Sequence, residues 1–236
     1  MEKEIEIKTQ DKHIIYGKLN FKVKSDELII FVHGLTGNKN EHIFFNGSKF
    51  FNSNGYDTFR FDLYSDLNLG RTLLECTMDT HAEDVSTVLD YFSGKYKKMY
   101  LVGHSFGGPS VLFSTQKNVE KVVLWDPSLS HLTLIEDIEY SKSLNCYKIK
   151  WCVESLMSKE MFEHWKKNDK LMVGFIKRPT KIICAEKGIW FDMWKKENIP
   201  KNCKITMIKN ADHCFNNEGN EEDLFNETLK WIEGNK

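Results

Sequence analysis

Met99-Tyr100-Leu101-Val102-Gly103-His104-Ser105-Phe106-Gly107-Gly108-Pro109-Ser110-Val111-Leu112-Phe113-Ser114 decides the reading of this chain. Four apolar residues run into a G-x-S-x-G pentapeptide, and a helix-compatible segment follows at once. Strand, tight turn of small residues, then helix is the context of a nucleophile elbow. In such a turn the serine takes a strained backbone angle, and neighbouring side chains would strike the adjoining strand and helix. The strain lifts the Ser105 hydroxyl into a cleft and points the Phe106 N–H at the same place.

The rest of the chain repeats that rhythm. Glu4–Lys8 and His13–Val23 read as an opening pair of strands. Leu28-Ile29-Ile30-Phe31-Val32 is a continuous apolar run ending in His33-Gly34, the pattern of a strand buried on both faces of a parallel sheet. Glu41–Asn54 is helix-like and stops at Asn54-Gly55; Tyr56–Phe61 is the next strand. Asp79–Phe92 carries apolar residues at helical spacing, and Lys121–Trp125 is the strand after the elbow. From Ser128 to Lys177 the rhythm breaks into an irregular, aromatic-rich stretch with helical pieces such as Ser155–Trp165. It resumes at Thr180–Cys184, a helix near Ile189–Glu197, a strand at Cys203–Ile208 and a last helix at Glu221–Glu233. This alternation argues for an α/β chain with a mostly parallel, doubly wound sheet and helices on both faces. The expectation is one domain over residues 1–236, with 128–177 as a small helical cap inserted over the carboxyl ends of the strands, where ligands bind in such sheets.

Composition narrows the function. The chain has 236 residues, 41% hydrophobic and 28% charged, with a formal net charge of −1. Its lysines are interleaved with acids, so no basic face argues for nucleic acid or an anionic membrane. No stretch is long and apolar enough to span a bilayer. Residues 1–8 alternate charge with apolar side chains and lack the apolar core of a secretion signal. A cytoplasmic location follows as an expectation, and with it free thiols for the six cysteines, which form no C-x-x-C pair. Cys184 and Cys203 fall inside strands, where cysteine behaves as a small buried hydrophobe.

A serine hydroxyl needs a base, an acid to orient the base, and donors for an oxyanion. The base candidate is His213, in the loop Asn210-Ala211-Asp212-His213-Cys214-Phe215 between the last strand and the last helix. His33 and His104 lie inside the motifs and read as structural neighbours of the site. The donors are the N–H groups of Phe106 and of Leu35, in the glycine-containing loop His33-Gly34-Leu35-Thr36-Gly37-Asn38.

His33-Gly34 after an apolar strand, Gly103–Gly108, and Ala211-Asp212-His213 before a terminal helix resemble the α/β-hydrolase superfamily. Within it the chain is similar to small bacterial serine esterases of the cinnamoyl or feruloyl type, whose G-A-D-H-x-F element is like Asn210–Phe215. The likeness runs over nearly the whole chain and weakens between Ser128 and Lys177. It implies a serine hydrolase acting on a small acyl ester through a Ser–His–acid triad and an acyl-enzyme, with no metal and no organic cofactor. Thioester hydrolysis or acyl transfer could run on the same machinery.

The acid departs from that pattern. Relatives carry it after the penultimate core strand, in a sequence like P-T-L-I-I-x-G-x-x-D. Here Pro179-Thr180-Lys181-Ile182-Ile183-Cys184-Ala185-Glu186-Lys187-Gly188 puts a glycine there. Asp126, in Leu124-Trp125-Asp126-Pro127 at a strand end, is the first replacement, Asp192 the second and Glu186 the third. All preserve the chain order Ser…acid…His. A degenerate acid position also leaves open a non-catalytic ligand-binding protein on the same scaffold. Asp62 and Asp84 read as loop-organising residues, and Asp212 is too close to His213 in the chain to converge on it. Trp151, Met157, Met161, Phe162, Trp165 and Met172 in the cap either line an apolar pocket or pack the cap onto the sheet.

Overall fold

A computed structural model of the chain describes residues 1–23, 25–129, 136–150 and 154–234. Eight strands form one sheet: β1 (Glu2–Lys8), β2 (Ile14–Asn20), β3 (Glu27–Val32), β4 (Asp57–Phe61), β5 (Lys98–His104), β6 (Val119–Trp125), β10 (Thr180–Ala185) and β11 (Cys203–Ile208). Their spatial order is β1-β2-β4-β3-β5-β6-β10-β11. β2 is antiparallel to both of its neighbours, β1 and β4, and every other neighbouring pair is parallel.

Alternation along each strand builds two cores. Leu28, Ile30 and Val32 of β3 face one side, with Leu101, Val122 and Ile182 from β5, β6 and β10. Against them lie α2 (Met78–Phe92), through Val85, Val88 and Leu89, and α3 (Gly107–Phe113), through Val111 and Leu112. Ile29 and Phe31 face the other side, with Tyr100, Val102, Val123 and Ile183. There they meet α1 (His42–Ser53), through Phe44 and Phe51, and α6 (Asn220–Glu233), through Leu224 and Phe225. Nearly continuous apolar strands are the consequence of covering both faces. Cys184 and Cys203 are buried members of the first core.

The segment between β6 and β10 holds strands as well as a helix. β7 (Ile138–Ser141), β8 (Cys146–Lys150) and β9 (Glu154–Met157) form a separate antiparallel meander, and α4 (Lys159–Asn168) follows. Where sequence reading expected a helical piece over Ser155–Trp165, the chain is a strand to Met157 and a helix from Lys159. Ser158 marks the change: its hydroxyl accepts the Met161 N–H at 2.9 Å, an N-cap bond three residues ahead. The helix α5 (Trp190–Trp194) is short and ends well before Glu197. Among the described residues no helix is long and apolar enough to cross a membrane.

Candidate active site

The candidate nucleophile stands where β5 turns into α3. Ser105 has φ +52°, in the left-handed region, which non-glycine residues occupy at a cost. Its N–H donates to the Trp125 carbonyl at 2.9 Å, and its own carbonyl accepts the N–H groups of Gly108 and Ser128 at 3.0 and 3.1 Å. The strained residue is therefore tied to the ends of both α3 and β6. Gly107 explains the small-residue requirement: a Cβ there would lie 2.2 Å from the Val32 carbonyl oxygen.

His213 comes from the loop between β11 and α6. Its Nε2 lies 2.9 Å from the Ser105 Oγ, and its Nδ1 lies 2.6 Å from the Asp126 Oδ2. With a carboxylate at Nδ1, that nitrogen carries the proton, which leaves Nε2 free to accept from the serine hydroxyl. Two groups steady the loop. His104 Nε2–H donates to the His213 carbonyl at 2.8 Å. Burial pushes the His104 imidazole down to about 3, so it stays neutral beside His213. Glu186 Oε2 accepts the Asn210 N–H at 2.8 Å, joining the loop after β10 to the loop that carries His213.

Asp126 continues β6 by one residue. Its N–H donates to the Ile183 carbonyl at 2.7 Å, its Oδ1 accepts the Ala185 N–H at 3.0 Å, and its side chain is fully buried. The Trp194 indole N–H, from α5, holds the following Pro127 carbonyl at 2.9 Å. Gly188 closes the space around the carboxylate. A Cβ at position 188 would stand 2.7 Å from Asp126 Oδ2. The position where the resemblance expects an acid is thus the position that a neighbouring strand's acid leaves no room to fill.

The other candidates go elsewhere. Asp192 is exposed on α5, and Glu186 binds Asn210. Asp62 Oδ1 accepts the Lys39 N–H at 2.8 Å, and its other oxygen pairs with the Lys39 ammonium. Asp84 is buried against Arg71, at 3.2 Å. Asp212 accepts the Asn216 N–H at 2.8 Å. His33 Nε2 accepts the Leu63 N–H at 2.9 Å and is buried.

A cavity of about 530 Å³ opens over Ser105 and His213. Leu35, Thr36, Glu41, Lys187, Ile189, Trp190 and Cys214 are among its walls. Among the described residues, neither the Leu35 nor the Phe106 N–H has a hydrogen-bond partner. A Cβ on Gly34, just before Leu35, would stand 2.9 Å from the Ser105 Cβ, so this loop passes directly beside the serine. Thr36, at φ +64°, turns the loop away again. No described residue of 136–150 or 154–177 lines the cavity. Met157, Met161, Trp165 and Met172 are instead buried in apolar clusters, and Trp151 lies outside the described residues.

The family described as the alpha/beta hydrolase fold matches residues 27–142. This chain has the α/β-hydrolase fold. No curated protein sequence matches it. Solved hydrolases superpose over almost its whole length. Est1E from Butyrivibrio proteoclasticus, in a structure with ferulic acid bound, is 17% identical with a TM-score of 0.78, covering 98% of this chain and 100% of that one. An esterase domain from Rhodothermus marinus is 16% identical with a TM-score of 0.75, covering 98% of each chain. A dienelactone hydrolase from Anabaena variabilis is 14% identical with a TM-score of 0.72, covering 99% of this chain and 97% of that one. The resemblance read from the elbow and the Ala211-Asp212-His213 element is borne out at the level of the fold.

Proposed function

We propose that this hydrolase-fold chain is a serine hydrolase of small carboxylic esters. The observation that carries the reading is the His213 imidazole lying between the Ser105 hydroxyl and the buried Asp126 carboxylate, at 2.9 and 2.6 Å. In this reading Ser105 Oγ attacks the acyl carbonyl while His213 Nε2 takes the hydroxyl proton. The N–H groups of Leu35 and Phe106 receive the oxyanion. His213 returns the proton to the leaving alkoxide, and an acyl-serine remains. Water then loses a proton to His213, attacks the acyl carbon, and releases the carboxylic acid and Ser105. Asp126 keeps the proton of His213 on Nδ1 throughout and stabilises the imidazolium.

Residues 128–177 serve in this account as an insertion within one hydrolase domain. The rival reading, a binding protein that has lost its acid, rested on Gly188. It loses that motive, because Asp126 supplies a carboxylate to the same small space. The esterases among the structural neighbours support the ester reading through shared fold alone.

Fluorophosphonate labelling of the intact protein tests the proposal. An activated serine captures the probe at Ser105, and Ser105→Ala abolishes the adduct. An unlabelled wild-type protein that also leaves short p-nitrophenyl esters untouched would contradict it.

A further inference from the structure

Phe106 does two things at once. Its N–H is one of the two donors assigned to the oxyanion, and its ring points away from the cavity into an apolar cluster. That cluster joins Leu35, the other donor residue, to Met157, Met161 and Trp165 of the segment between β6 and β10. The Phe106 ring meets the Trp165 indole edge to face, with centroids 4.6 Å apart and planes at 83°. Both side chains are 1% exposed. Trp165 is itself held from the body of the protein. At the start of its helix, the Ser158 hydroxyl donates to the Cys76 carbonyl at 2.9 Å, just ahead of α2.

We propose that Trp165 is a positioning residue: it holds Phe106, and with it the oxyanion-binding N–H, from behind the site. This rests on the serine-hydrolase reading above. The insertion then acts as a clamp on the wall opposite the substrate, and contributes to the rate without touching the reacting atoms. The physical reason lies in the turn. Ser105 is held in a left-handed conformation, and such strain persists only where the surroundings over-determine it. The Phe106 ring is the side-chain anchor of the peptide unit that carries the donor. Without the indole, the ring has a void to drop into and that peptide unit can rotate.

The test compares Trp165→Ala, Trp165→Phe and Phe92→Ala with the wild type. Phe92 is an equally buried ring, packed on Phe59 and Tyr96 at the far end of α2. Two readouts are taken with p-nitrophenyl acetate and a short alkyl trifluoromethyl ketone. The ketone carbonyl accepts Ser105 Oγ, the proton passes to His213, and the resulting hemiketal oxyanion needs the same donors as the transition state. Trp165→Ala should lower kcat by about 30-fold with KM within about twofold, since misplacing a catalytic group by about 1 Å costs about 100-fold. The inhibition constant of the ketone should rise by the same factor as kcat falls. Trp165→Phe should lose about threefold to fivefold on both readouts, and decides the matter if the alanine variant does not fold. Phe92→Ala should lower the melting temperature yet keep kcat.

A Trp165 variant with wild-type kcat and ketone affinity overturns the inference. So does a Phe92→Ala variant whose folded fraction loses as much kcat. If the wild type hydrolyses no ester and Ser105 takes no fluorophosphonate, the serine-hydrolase reading itself fails and this inference falls with it.

Discussion

Asp126→Asn should silence the site while leaving the fold intact. The backbone tolerates the change, because position 126 sits at φ +39° and asparagine is among the residues that accept left-handed angles. The effect comes from which way the new amide must face. Ala185 N–H donates to Oδ1 at 3.0 Å, so that place requires an acceptor and takes the amide oxygen. The NH₂ group is left against His213 Nδ1, where the carboxylate oxygen now lies at 2.6 Å. Two N–H donors cannot share that contact. The imidazole must move its proton to Nε2, and Nε2–H then donates to the Ser105 hydroxyl instead of accepting from it. The base is gone although every heavy atom keeps its place. Loss of the productive tautomer costs about 10⁴-fold in kcat, or about 5.4 kcal/mol of transition-state stabilisation. The assay is p-nitrophenyl acetate hydrolysis at neutral pH, with the melting temperature measured alongside. An Asp126→Asn protein within about tenfold of wild-type kcat would refute the tautomer argument, since imidazole orientation is worth far more than that.

Three further predictions follow from the same geometry. Gly188→Ala puts a methyl carbon 2.7 Å from Asp126 Oδ2, which turns the carboxylate off His213; kcat should fall by about tenfold to 100-fold, and an unchanged steady-state rate would show that the carboxylate has slack. Asp192→Asn changes an exposed side chain on α5 and should leave kcat within about twofold, as surface substitutions do; a large loss in the same assay would move the acid's role to Asp192. Burial pushes the Cys203 thiol up to about 12 and the Cys184 thiol up as well. Both should resist iodoacetamide at pH 8 until the protein is unfolded, as read by peptide mass mapping, and rapid native labelling of either would contradict their burial.

The sheet was legible because its strands are buried on both faces. Leu28–Val32, Met99–Val102 and Ile182–Ala185 are apolar on consecutive residues, and such short runs bounded by glycine or turns leave few alternatives. The meander between β6 and β10 was not legible for the opposite reason. Glu139, Lys148, Lys150 and Glu154 put charges through its strands, and two of the ion pairs there join neighbouring strands, Lys150 with Glu139 and Lys148 with Glu154. Small sheets exposed on one side lack the apolar signature that marked the central strands. Ser105 and His213 could be chosen from the sequence because each sits at a fixed place in the strand-to-loop order. The acid could not. Asp126, Asp192 and Glu186 all satisfy the chain order, and only the distance to His213 separates them. One signal was present in hindsight: a glycine at position 188 next to an aspartate ending the neighbouring strand is what a close contact between those positions requires. Trp165 carried no readable signal, since a buried tryptophan on an amphipathic helix looks the same whichever ring it packs against.

The central claim is that Ser105 is an activated nucleophile. The direct test is a short p-nitrophenyl ester series given to the wild type and to Ser105→Ala, with mass spectrometry of the fluorophosphonate-treated proteins. The wild type should hydrolyse the esters, the alanine variant should lose at least about 10⁴-fold, and a single adduct should map to Ser105. Equal rates for the two proteins, or an adduct on any other residue, would contradict it.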